Sequence, residues 1–432
     1  MNATPLTSPD DSLARLERLT VLSQRLLERA AAHGPTQAEV SCSEETGLNV
    51  NVRLGAVETV ESTRDRGIGV TVYFGQRKGS ASTADLREES LEATVAQACA
   101  IARYTEDDDA AGLADAARMA HEFPDLDVWH PWARDTDPAV ALGRACEAAG
   151  RDADARTENS HGASVGSGES LAVYANSHGF FGRERDTQHT IGCALIAGQG
   201  DGMQRDGWYS TALSHLDLQT PEVIGRIAAE RTVLRLQPRS VSTGEYPVLF
   251  AAEVARSLIG HLLGAVSGGA LYRRASFLLD HAGKQIFPSW FAIEELPHLR
   301  RGMRSSAFDA EGVATTRSHL VRDGVLQRYL LGSYSARKLG LSSTGNAGGV
   351  HNLQVKANAG GFDSLLGGMT RGLLVTELMG QGVNGVAGDY SRGAAGFWVE
   401  NGAISHPVDG ITVAGNHKDI FNRIDAVGND VD

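Results

Sequence analysis

Leu48-Asn-Val50-Asn-Val52-Arg-Leu54 alternates apolar and polar residues without a break. A period of two is the mark of a strand with one face in a core. Gly67 to Phe74 repeats the pattern, while the segment between the two runs alternates less clearly. Together they predict antiparallel strands, buried on one face and polar on the other. On both sides the period changes. Leu13, Leu16, Leu19, Leu22 and Leu26 return at helical spacing behind Asp10 and Asp11, which predicts an amphipathic helix over 11–33. Leu91, Val95, Ala98, Cys99 and Ala102 form a second helical stripe, with Asp85, Glu88 and Glu89 at its start, where negative charge suits the helix dipole. It ends before Glu106-Asp-Asp-Asp109, which reads as a solvated linker.

A further unit follows from about Pro124 to Asp217, with a helix near 138–151 and alternating segments at 170–175 and 187–196. Another helix, 221–236, leads into the turn-rich stretch Gln237 to Pro247, the clearest boundary in the chain. Beyond it, 248–251 reads as a strand and 253–266 as a helix, and 18 of the 50 glycines then fall between Gly340 and Gly415. Glycine at that density within alternating segments signals bulges and tight turns. The class is α+β: an N-terminal antiparallel sheet with helices, then a C-terminal Gly-rich, mainly-β domain around one central buried helix. Domains are expected over 1–120, 121–240 and 241–432, the first two able to pack as one unit.

The chain has 432 residues, 42% hydrophobic and 22% charged, with a net charge of -13. That composition excludes wholesale disorder, and the acidic balance argues against binding nucleic acid through phosphate contacts. No apolar run is long enough to span a bilayer, and residues 1–20 carry no secretory pattern. Cys42, Cys99, Cys146 and Cys193 are spaced too widely for CxxC chemistry and read as buried, reduced thiols, which points to the cytoplasm.

The chemical motifs fare poorly. Gly162-Ala-Ser164-Val-Gly166 matches the nucleophile elbow, but a loop-like segment precedes it and a strand-like one follows, so it reads as a flexible loop. Ser335-Ala-Arg-Lys338 matches S-x-x-K without its companion elements, and Lys338 is expected in water. His121-Glu122 opens like a zincin motif, but Asp125 stands where the second histidine belongs. No phosphate-binding glycine loop is present. In the helix 253–266, Ser257, Gly260 and Gly264 form a strip of small residues suited to close packing, on a partner or within the core, and His261 lies at its border.

Ala175-Asn-Ser-His-Gly-Phe180, Gly202-Met-Gln-Arg-Asp-Gly-Trp-Tyr-Ser210, Ser276-Phe-Leu-Leu-Asp280, Phe308-Asp-Ala-Glu-Gly312 and Ser342-Ser-Thr-Gly-Asn346 resemble stretches of the TldD/PmbA family. So do Gly380 to Asp389, Glu400-Asn-Gly402 and Val413-Ala-Gly-Asn416, and the order of all of them best resembles the PmbA (TldE) branch. The resemblance implies a cytoplasmic metalloprotease complex of one TldD-type and one PmbA-type subunit that cleaves small or unfolded peptides. The family's catalytic branch carries H-E-x-x-x-H, two zinc-binding histidines and a glutamate base. Laid on this chain, those positions are Arg256, Ser257 and His261. An arginine cannot ligate zinc, and a serine is no carboxylate base. The catalytic branch's third ligand resembles a cysteine near the C-terminus; no cysteine follows Cys193, and the chain stops at Asp432, short of the family's usual final strand.

The resemblance therefore implies no metal or other cofactor in this chain and no confident catalytic residue, with zinc expected in the TldD-type partner. Its expected partners are that catalytic subunit and a peptide substrate, with a homodimer in isolation, and neither nucleic acid nor membrane. Two alternatives stand beside this reading: an autonomous peptidase with ligands such as His161, His178, His189 or His351, and a non-enzymatic homo-oligomeric peptide-binding scaffold.

Overall fold

The computed structural model describes residues 9–132 and 135–431. Expectations placed on residues 1–8 and on the Asp10 side chain lie outside the described part. The first helix, α1 (Pro9–Ala32), buries Leu16, Leu19 and Leu26, and Leu13 faces water. The alternating run lies in β1 (Gln37–Arg53), which turns at Leu54 and Gly55 into β2 (Ala56–Phe74), followed by β3 (Arg77–Thr83). Both turn residues have positive φ, 51° and 75°. That suits the right-handed twist of a hairpin but is costly for a leucine. Buried Glu147 stabilises the turn: its carboxylate accepts the Leu54 and Gly55 N–H groups at 2.7 and 2.8 Å.

After α2 (Glu88–Tyr104), the chain passes through an irregular stretch to α3 (Thr136–Ala153), β4 (Asn159–Asn176), β5 (Phe181–Ala197), β6 (Gln204–Ala212) and α4 (Pro221–Leu234). All six strands form one antiparallel sheet ordered β3-β2-β1-β4-β5-β6, so β4 of the later segment pairs directly with β1 of the earlier one. Val40, Cys42, Val50 and Val52 of β1 point to the helix layer, as do Val165, Leu171 and Val173 of β4. Leu26, Leu91 and Val95 of α1 and α2 cover one half of that face; Val140, Ile224 and Ala228 of α3 and α4 cover the other. At Gly225 the helices α3 and α4 meet backbone to backbone: a Cβ there would stand 2.1 Å from the Cys146 carbonyl oxygen. All four cysteines are free and buried.

The opposite face of the sheet is polar, and Ser164 lies on it in mid-strand. The expected loop at 162–166 is thus part of β4, because Ala163 and Val165 are buried between the outward glycines and serine.

The C-terminal part holds two four-stranded sheets. One is ordered β14-β13-β12-β7, from β7 (Val248–Phe250), β12 (Arg371–Met379), β13 (Asp389–Glu400) and β14 (Ala403–Asn416). The other is β10-β9-β8-β11, from β8 (Ile293–Glu295), β9 (Ser318–Arg322), β10 (Val325–Leu326) and β11 (Leu353–Val355). Helix α5 (Ala252–Ala265) bridges them, with Val254 against Val375 and Trp398, and Leu262 among Phe287, Phe291 and Leu320. It is less buried than its pattern suggested: Leu258, Leu262 and Ala265 are inside, whereas Arg256, Gly260 and Gly264 face outward. With α6 (Gly268–Tyr272), α7 (Ser333–Leu339), α8 (Phe362–Gly367) and α9 (His417–Asn422), this part is mixed rather than mainly β.

The two parts are joined through a cluster of Met119, Phe180, Phe308 and Tyr174. Arg337 adds hydrogen bonds to the carbonyls of Ala110 and Gly112, both at 3.0 Å. Lys338, expected in water, pairs with Asp108 at 2.7 Å, and the Tyr334 hydroxyl donates to the same carboxylate. The acidic stretch at 106–109 is therefore a tether for α7 rather than a free linker. Among the described residues, no helix is long and apolar enough to cross a membrane.

Candidate functional site

The three motif positions share α5 but not an environment. Arg256 is exposed on the outer face. The Ser257 hydroxyl donates to the Val254 carbonyl at 2.7 Å, a bond back into its own helix. His261, one turn on, meets buried His417 of α9, with Nδ1 3.0 Å from the His417 Nε2. The His417 Nδ1 lies 3.0 Å from the Gly388 carbonyl. A carbonyl only accepts, so His417 carries its proton on Nδ1 and accepts at Nε2, and His261 is the donor. Tyr390 and Phe277 close the pair in, their rings 5.3 and 5.5 Å from the His417 ring. Burial, the His417 ring and the Arg392 guanidinium hold the His261 pKa down to about 4, so the pair is neutral.

The zinc implied by the catalytic branch does not fit these groups. Where the resemblance places the first ligand and the base stand a permanent cation, Arg256, and a committed hydroxyl, Ser257. The remaining histidine is tied to a second one beside the charged Arg392. Among the described residues, no three His, Cys, Asp or Glu side chains gather as a metal-ligand set. The alternative histidines do not converge either. His161 is exposed in β4 and His178 in the following turn. His189 is buried, with its two nitrogens 3.0 Å from the Ser167 hydroxyl and 2.9 Å from the His130 carbonyl. Ser335 of the S-x-x-K stretch donates to the Gly332 carbonyl at 3.0 Å, which leaves its proton spoken for.

His351 differs: it lines an open cleft of about 620 Å³ between the end of α5, α6, the start of α7 and the 346–351 loop. Buried Glu295, at the end of β8, fixes its ring, accepting from the His351 backbone N–H at 2.8 Å and from Nδ1 at 2.9 Å. Asn346 Nδ2 and Arg328 donate to the same carboxylate. These bonds hold the Glu295 pKa below its usual value, although burial pushes the other way. On the neighbouring wall, Asp309 accepts the N–H groups of Glu311, Val313 and Ala347 at 2.9, 3.0 and 2.9 Å. Burial nonetheless pushes its carboxyl up to about 6.

The stretches Phe308–Gly312 and Ser342–Asn346, quoted separately from the sequence, thus meet in one wall. Sequence reading missed Glu295, Arg328 and Asp309 as its organisers. A three-residue strand carries no periodicity; the signals at hand were the family-like stretches 308–312 and 342–346 and the glycine density at 345–349.

Residues 243–432 match the PmbA/TldA metallopeptidase C-terminal domain, 129–236 its central domain and 38–102 its domain 1. The metalloprotease PmbA of Escherichia coli O157:H7 is 49% identical over 91% of this chain and 88% of its own length. The chain belongs to the PmbA/TldD metallopeptidase family, in its PmbA branch. A PmbA homolog of Haemophilus influenzae is 47% identical over 93% of the chain and 89% of its own length. The fold of this family member also superposes on TldE from Thermococcus kodakarensis with a TM-score of 0.83, at 19% identity, over 94% of this chain and 93% of that one.

Proposed function

We propose that this chain is the zinc-free subunit of a cytoplasmic PmbA/TldD-type peptidase complex. A TldD-type partner supplies the metal and the base. This chain completes the chamber around them and holds an extended peptide by its backbone at free strand edges. One observation carries the reading: where the resemblance expects groups that bind and activate, α5 presents Arg256, a Ser257 hydroxyl bonded to its own helix, and His261 as a neutral donor to His417. The strip at Gly260 and Gly264 supports it, since among the described residues a Cβ at either position would meet nothing within 4 Å.

The test is peptide cleavage by the purified chain alone and after co-expression with a TldD-type subunit. We expect no turnover alone and chelator-sensitive turnover from the pair. Chelator-sensitive cleavage by the isolated chain would contradict the proposal, and recovery of only a homo-oligomer from the source cell would favour a scaffold.

A further inference from the structure

We propose that the cleft beside His351 is a subsite for the C-terminal carboxylate of a short peptide, bound by Arg304, with the preceding residues lying along the outer edge of β11. The inference rests on the peptide-holding role above and specifies which end of the peptide this chain reads.

Strand β11 is the last in its sheet and pairs only with β8. The Asn352 carbonyl accepts from Leu296 N–H at 2.8 Å, and Lys356 N–H donates to Ala292 at 2.9 Å, so the even-numbered residues face β8. Alternation then turns the N–H and C=O groups of Leu353 and Val355 outward, where no other described strand pairs with them. An added peptide strand satisfies such an edge whatever its side chains. Two residues back along the chain, the edge runs into the cleft at His351.

Arg304 is placed to end that strand. Its backbone N–H donates to Asn352 Oδ1 at 2.9 Å, and Asn352 Nδ2 is tied in turn to Leu296 and Ser305 at 3.0 and 2.7 Å. The arginine therefore springs from a braced point beside the first residues of the edge. Among the described residues its guanidinium makes no hydrogen bond or ion pair, although it lines the cleft. The nearby acids are differently placed. Glu295 holds His351, Arg328 and Asn346, Glu311 accepts Ser333 N–H at 2.8 Å, and Glu184 takes the Ser306 hydroxyl. Burial pushes the Asp186 carboxyl up, and the Arg304 charge offsets this only in part, from beyond ion-pair distance. A planar fork with five donors is matched by a carboxylate, which it binds through two parallel bonds. Glu295 fixes the His351 ring at Nδ1, leaving Nε2 as a directed polar group at the same end of the cleft.

The experiment measures binding of one fluorescently labelled hexapeptide to the full chain, with a free C-terminal carboxylate or a C-terminal amide. We expect the acid to bind about tenfold more tightly than the amide, the discrimination worth one well-placed charge-assisted contact. Arg304→Gln is expected to bring the acid down to the level of the amide and leave the amide unchanged. Because Arg304 is exposed, the variant retains the fold, which its thermal transition verifies. Equal affinity of the wild-type chain for acid and amide overturns the inference, as does discrimination that survives Arg304→Gln. Cleavage of both peptides by the two-subunit complex reports separately on the parent reading, so equal binding with intact cleavage removes the carboxylate subsite alone.

Discussion

At the scale of single residues, the His261–His417 pair makes a pH-dependent contribution to stability. The native His261 holds its proton only below about 4, against 6.5 in the unfolded chain. Between those values the unfolded chain binds a proton that the native state rejects. Stability is therefore full above the unfolded value and falls as pH drops towards the native one. We expect the urea midpoint of His261→Gln to fall less between pH ~7 and ~5 than that of the wild type; an identical fall would show that the imidazole is not kept neutral. A second residue-scale case lies under the sheet. Arg15 is buried and pairs with Glu44 at 3.1 Å and Glu169 at 3.4 Å. Arg15→Met leaves both carboxylates in the core and is expected to cost about 3 kcal/mol in denaturant unfolding, the usual result of removing one partner of a buried pair.

At the scale of elements, two helical glycines separate packing from exposure. A methyl group at Gly225 would run into the Cys146 carbonyl, so Gly225→Ala is expected to destabilise by about 2 kcal/mol by pushing α4 away from α3. Gly260→Ala meets open space and is expected to be neutral or stabilising by up to about 1 kcal/mol in the isolated chain. Thermal unfolding of the two variants checks the contrast, and the reverse order would contradict the placement of both helices.

What could be read from sequence follows burial. Leu48–Leu54 and the Leu91–Ala102 stripe were legible because one face is buried and the other wet. The first half of β2, Ala56–Arg66, is exposed on both faces and so alternated less clearly. The glycine–serine face of β4 looked like a loop because its outward residues are small.

At the scale of the whole molecule, the arrangement joins a polar sheet face, a cleft and a helix that carries Arg256, Ser257 and His261. Arg256, Ser257 and His261 could be read together in the sequence because they lie within six consecutive residues. The pairing of His261 with His417, far away along the chain, and the bracing of His351 by Glu295 depend on topology, and no local pattern encodes them.

Zinc binding by the purified chain, measured by equilibrium dialysis near neutral pH for wild type and His261→Ala, tests the central claim most directly. The account predicts no stoichiometric zinc in either protein. One zinc per chain in the wild type, lost in His261→Ala, would contradict it.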